Sequence, residues 1–166
     1  MNIFAYDPDP KLCALWLDDV RKNKMITETA QLLSTCMRYR KPAWSLDRKD
    51  IMASAYVNHP CSLWVRESWA NFRWLTEHMQ ALCNQWGRPH KSARVIAPAL
   101  KAGINFGLDD QLTPFANCAR NQSLGINFKT VEDTHLAYRM YTRERWKQDT
   151  IRLSWVYGEE PEWRYE

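Results

Sequence analysis

The 166-residue chain holds only five glycines, no Cys-x-x-Cys pair and no apolar run long enough to cross a bilayer. The missing Cys-x-x-Cys removes a zinc ribbon or a local redox pair, since Cys13, Cys36, Cys61, Cys83 and Cys118 stand far apart. Five is an odd number, and most of these cysteines fall in helix-like runs, so reduced thiols in a cytosol are expected. There is no His-Glu-x-x-His, no Gly-x-Ser-x-Gly and no glycine-rich phosphate cradle. No metal site and no cofactor is therefore expected. The opening Met1-Asn2-Ile3-Phe4-Ala5-Tyr6-Asp7 has neither a basic segment nor an apolar stretch, so no signal peptide is expected.

What is present is a globular composition, 45% hydrophobic and 25% charged, with nine tryptophans. The length fits a single domain over residues 1–166 with a core of its own. Net charge is +4, unevenly spread. Residues 1–102 carry 15 basic and 9 acidic side chains, net +6, and residues 103–166 carry 8 and 10, net −2. An anionic ligand belongs with the first part.

Periodicity predicts an all-α bundle with a long central helix. Asp7-Pro8-Asp9-Pro10 suits a helix start, with Leu12, Leu15, Trp16 and Val20 following at helical spacing. Met25, Ile26, Thr29, Leu32, Leu33 and Cys36 make a second stripe ending near Pro42, before a polar loop to Asp50. The longest stripe predicts one helix over 60–86: Cys61, Trp64, Val65, Ser68, Phe72, Leu75, Met79, Leu82, Cys83 and Trp86, stopped by Gly87-Arg88-Pro89. Ser92 is a candidate cap for a helix through Leu100. Residues 103–128, with Gly103, Gly107, Gly125 and Thr113-Pro114, read as a long irregular connection. Thr130-Val131-Glu132-Asp133 reads as a cap for a helix to Lys147, followed by an irregular aromatic C-terminal segment.

The polar faces hold the candidate chemistry. Arg21, Lys24, Glu28, Gln31, Thr35 and Arg38 recur along one helix face. A carboxylate among cations stays ionised and can stabilise a developing cation or act as a base; a plain Lys24–Glu28 ion pair is the structural alternative. Glu67, Asn71, Trp74 and His78 share a second face, with Arg66, Ala70, Arg73 and Glu77 on a third. Trp74 could stack on a base or pack under a neighbouring helix. Asn58-His59 and His90-Lys91 each stand just before a helix start, where anions are favoured. Glu28, His59, Arg66 and Glu67 are expected to converge on one cleft, with Arg21, Gln31, Asn71 and Lys91 at its edge.

Two resemblances extend this reading. The runs Met25-Ile26-Thr27-Glu28-Thr29-Ala30-Gln31-Leu32-Leu33-Ser34, Val57-Asn58-His59-Pro60-Cys61-Ser62-Leu63-Trp64-Val65-Arg66-Glu67-Ser68 and His90-Lys91-Ser92 resemble a family of small phage proteins over roughly residues 1–95. More distantly, the chain is similar to the endonuclease V type of pyrimidine dimer DNA glycosylase, small all-α enzymes that use an N-terminal amine and a Glu on an early helix. Glu28 matches that Glu; Arg21 stands where the family has a His, and Gln31 where a basic residue would follow. The resemblance implies the α-amine of Met1 as nucleophile, although Asn2 departs from the small second residue that permits Met removal. An α-amine is partly free base near neutral pH, and Lys24 is a fallback nucleophile if desolvated. Arg21, Arg38, Arg66 and Lys91 would hold phosphates.

Three functions follow as expectations: a DNA-processing enzyme using Met1, Glu28 and His59; a non-catalytic binder of a nucleotide or signalling nucleotide; and a module that binds a host protein through its aromatic tail. The expected partner is DNA or a nucleotide, with a host protein as a further one; no membrane partner is expected, and the expected location is the cytoplasm, the host cytosol for a phage protein.

Overall fold

Helix starts are set by side chains that accept the first free backbone N–H groups. In the computed structural model, which describes residues 1–102 and 108–166, Asp9 caps α1 (Pro10–Leu15) and Pro10 occupies its first turn. Asp18 caps α2 (Asp19–Arg40) through Arg21 N at 3.0 Å. A short α3 (Pro42–Ser45) lies in the segment expected to be loop. α4 (Pro60–Glu67) is capped by His59, whose Nδ1 accepts from Cys61 N. α5 (Trp69–Trp86) ends at Gly87, whose φ of +68° is the left-handed closure that favours glycine. A 3₁₀ turn over Lys91–Val95 leads into α6 (Ile96–Ala102), and Asp133 caps α7 (Thr134–Gln148). β1 (Arg120–Asn121) and β2 (Ile126–Asn127) form a two-stranded antiparallel hairpin closed at Gly125. The fold is thus all-α apart from that hairpin.

α2 and α5 form the centre. α1 packs on α5, α4 on both α2 and α5, and the 91–102 segment closes against the same pair. The buried apolar side chains make one contiguous cluster, and every expected core residue of α2 belongs to it: Met25, Ile26, Leu32, Leu33 and Cys36 are buried, with Thr29 beside them. Trp64, Phe72, Leu75 and Leu82 are buried as the long stripe requires.

That stripe is carried by two helices, not one. Ser68 is extended (φ −140°, ψ 162°), and its hydroxyl takes Asn71 N at 3.0 Å. Trp69 N donates outside the helix, to Asp109 O at 2.9 Å. A serine that bonds the backbone two or three residues on competes with helix continuation. The first stripe is also corrected: α1 stops at Leu15, Asp18 restarts the phase, and Val20 is 52% exposed while Leu17 is buried. Ser92 is not the cap it was expected to be; His90 Nδ1 accepts from Ser92 N. Of the irregular 103–128 connection, residues 103–107 lie outside the described residues.

The two chain ends are drawn inward. Ile3, Phe4, Ala5 and Tyr6 are buried, and α7 holds them through Tyr6 Oη–Thr142 Oγ1 (3.0 Å), His135 Nδ1–Ala5 O (2.8 Å) and Arg139 Nε donating to Tyr6 O (2.9 Å). At the other end, Asp19 accepts from Val156 N, Tyr157 N and Ser154 Oγ. Lys22 Nζ is taken up by Gln85 Oε1 and Tyr157 O, and burial draws its ammonium down to about 8. Trp163 stacks on Trp146 with centroids 5.4 Å apart, so this ring of the tail covers its own core. Among the described residues no helix is long and apolar enough to cross a membrane.

Candidate functional site

The N-terminal turn delivers the α-amine to α2. Asn2 Oδ1 accepts from Ile3 N at 2.8 Å and Phe4 N at 3.3 Å, folding the chain back on itself. Phe4 takes a φ of +53°, unusual for an aromatic residue. Strain of this kind persists only where neighbours over-determine it; here the buried Phe4 ring lies against Tyr6, Tyr138 and Tyr141. The result places Asn2 N 2.9 Å from Glu28 Oε2 and the Met1 α-nitrogen 4.0 Å from Glu28 Oε1. Lys24 Nζ, one turn back on α2, is 3.5 Å from the same Oε1. The side chains of Met1 and Glu28 are 2% and 16% exposed, whereas that of Lys24 is 69% exposed.

His59 borders this group. Burial lowers its imidazole pKa, the α-ammonium lowers it further, and the Glu28 carboxylate acts in the opposite sense. The first turn of α4 places Cys61 beside His59, and the connection before β1 brings Cys118 to it, with the two sulfurs 3.7 Å apart. The hydrogen bond from the Cys61 thiol brings Cys118 down to about 7, aided by Lys129 and Tyr138 and opposed by burial. The same bond, with burial, pushes Cys61 up. One ligating atom each from His59, Cys61 and Cys118 lie within 4.8 Å of one another. Sequence spacing gave no hint of this, because 57 residues separate the two cysteines.

Beyond Lys24 lies a cavity of about 280 Å³ lined by Phe4, Val20, Arg21, Lys24, Asn121, Tyr141, Arg145, Asp149 and Ile151. Arg21 is not free in it. Its guanidinium donates to Asp18 Oδ2 at 2.8 Å and Asp149 Oδ2 at 2.6 Å, and Arg145 also faces Asp149 at 3.7 Å. The cavity therefore has a mixed charge, with Lys24 its most exposed cation.

The expected convergence of Arg66 and Glu67 with Glu28 does not form. Arg66 is buried, donates to Ser62 O and Val57 O, and lies under the Tyr39 ring. With Tyr39, Arg40, Leu63 and Glu67 it lines a different, shallow depression. Glu67 accepts from Thr113 Oγ1, and Asn71 is buried between Trp64 O and Thr113. Arg38 donates to Met52 O, Ser45 O and Arg48 O, so its guanidinium is committed to fastening the loop after α2. Trp74 is buried, with Nε1 bonded to Pro8 O at 2.6 Å and its ring against Trp64, His78 and Phe115, so it offers no face to a base. Gln31 is half-buried one turn beyond Glu28, and Asn58 is exposed beside His59. His90 serves as a cap, with Lys91 exposed next to it. Cys118, Tyr141, Arg145 and Asn121 are the residues that sequence reasoning missed. All four lie in the C-terminal third, outside the basic part on which attention fell.

Comparison of the chain with family models, with curated proteins and with solved structures found no match.

Proposed function

We propose that the chain processes DNA by amine chemistry at a deoxyribose C1′. The observation that supports this reading is the 4.0 Å approach of the Met1 α-nitrogen to the Glu28 carboxylate, on a chain end tied to α2 by Asn2 N. An amine held against a half-shielded carboxylate has its charge balanced when protonated and a proton acceptor at hand when it reacts.

In the proposed sequence the nitrogen lone pair attacks C1′, the bond from C1′ to the base breaks, and the base leaves with its electron pair and a proton. Transfer of the remaining N–H proton by way of Glu28 to O4′, as the ring C1′–O4′ bond opens, gives an imine, and the regenerated carboxylate stabilises its protonated form. At an abasic sugar the same amine condenses with the aldehyde and releases water. Removal of a C2′ proton then expels the 3′ phosphate by β-elimination. Lys24 stands where it can meet a phosphate. The sequence likeness to pyrimidine dimer glycosylases supports the same assignment, as does the basic first part of the chain for an anionic partner. In this reading the protein is of phage type and acts in a host cytosol.

Borohydride trapping on an oligonucleotide with one abasic site tests it. A covalent adduct at the Met1 nitrogen, located by mass spectrometry, is expected. Folded protein that gives no adduct, or an adduct only at lysines, overturns the reading.

A second reading, a non-catalytic nucleotide binder, draws on the cavity beside Lys24, which combines Arg21, Lys24 and Arg145 with the Phe4 and Tyr141 rings. Thermal shift with nucleotides against duplex DNA separates the two, because a ligand of the native state raises its apparent stability.

A further inference from the structure

The geometry points to a zinc-type metal site built from His59, Cys61 and Cys118, separate from the amine–carboxylate pair and bordering it. Two thiolates that share a tetrahedral zinc at about 2.3 Å each stand about 3.8 Å apart. The Cys61 and Cys118 sulfurs are 3.7 Å apart, and a His59 nitrogen completes a group whose ligating atoms all lie within 4.8 Å. The sulfur–sulfur spacing is therefore already that of one edge of a coordination tetrahedron, with the imidazole close enough to close a second on a small movement.

Chemistry and fold agree with it. Two thiolates, a neutral imidazole and a dication sum to zero charge, which matters because Cys61 is fully buried and Cys118 half-buried. Thiolate with imidazole is the donor set that selects zinc-like ions over magnesium or calcium. The partners are held on rigid elements. Cys61 and His59 sit at the start of α4, and Cys118 N accepts a fixed place by donating to Tyr138 Oη at 3.1 Å, whose hydroxyl donates in turn to Ala116 O. Loading adds a further tie between α4 and the connection before β1, which Trp64 and Glu67 already hold through Thr113. On binding, each thiol gives up its proton to solvent. Three protein ligands leave a fourth position open, the pattern of sites that bind a water or substrate. The α-ammonium acts electrostatically on all three residues, so a loaded site and the Met1–Glu28 pair influence one another.

The test uses full-length protein, reduced and stripped with chelator, titrated with cobalt(II) alone. Saturation at one ion per chain, with thiolate-to-cobalt charge transfer and tetrahedral visible bands that zinc then displaces, is expected. Cys118→Ser should weaken binding by more than the roughly 10–100-fold that outer-shell changes cost. Should a variant lose its helical circular dichroism, alkylation of the wild type decides: zinc must protect Cys61 and Cys118 while leaving Cys83 reactive. Reduced protein that shows no saturable cobalt spectrum, or a Cys61→Ser/Cys118→Ser double variant that binds as wild type, overturns the site. Neither readout involves DNA, and borohydride trapping involves no metal, so the two proposals fail separately.

Discussion

Glu28→Gln preserves the shape of the Glu28 side chain and removes its charge. Gln can still accept Asn2 N through its carbonyl oxygen, so the 2.9 Å bond is retained in neutral form. The difference between a charge-assisted and a neutral hydrogen bond is about 1 kcal/mol. The Lys24 pair adds little, because that ammonium is 69% exposed and screened by solvent. The ammonium of Met1 loses its partner at 4.0 Å, a long contact whose loss is offset in part because the substitution also removes the cost of holding the Glu28 charge away from water. The sum is a loss of about 1–2 kcal/mol, or roughly 2–8 °C in Tm for a chain of this size. Loss of a general acid–base group costs about 100-fold or more in rate. The assay is single-turnover trapping and strand cleavage on an abasic duplex, run beside thermal unfolding. A slow variant that melts within this range supports the role given to Glu28. A variant that cleaves at the wild-type rate refutes it, as does one whose only defect is a melting point too low for the assay.

Gly158→Ala should destabilise more than Gly87→Ala. A Cβ at 158 would lie 2.4 Å from Leu15 O and 2.7 Å from Lys22 Nζ, a backbone clash of the kind that costs about 1–3 kcal/mol, whereas at 87 its nearest neighbour is 3.5 Å away and only the positive φ is penalised; urea unfolding of both variants checks the order. Buried His78 is held neutral, its pKa lowered to about 4 by desolvation. The unfolded chain binds the extra proton first, so the stability this group contributes is complete above about pH 6.5 and is lost as pH falls toward 4; Tm against pH for wild type and His78→Gln should differ in slope only in that window. DNA binding, where measured, should weaken with salt, and Lys24→Ala should reduce the slope of log affinity against log salt by about one, leaving Tm nearly unchanged. An affinity indifferent to salt would remove Lys24 as a phosphate contact.

Local periodicity made the core legible. The α2 stripe needed only the 3.6 spacing of Met25, Ile26, Leu32, Leu33 and Cys36. The break at Ser68 was not legible, since it depends on Asp109 O taking the Trp69 N–H from 40 residues away. Lys24–Glu28 could be read from its i, i+4 spacing. The approach of Met1 to Glu28 could not, and was expected only from a family likeness. Arg66 and Arg38 misled for one reason: sequence gives the charge of a guanidinium but not the carbonyls it will be spent on, and both are spent on loop and helix carbonyls. Trp74 looked anomalous on a polar face because its neighbours Pro8 and Phe115 come from distant segments. Cys61 and Cys118 fall to the same difficulty.

The clasp between residues 154–159 and the start of α2 has a kinetic consequence. Asp19, Lys22 and Leu15 O find their partners in Tyr157, Val156 and Glu159, nearly a full chain length away. Contacts of such separation are slow to close, because the intervening chain must be ordered before they are rewarded. During folding Asp19 and Lys22 stay hydrated until the 154–159 segment docks on them. α2 and α5 can condense earlier on their shared apolar faces, before the 154–159 segment closes over the start of α2. The clasp at the start of α2 is thus expected to close last, after the α2–α5 core has formed.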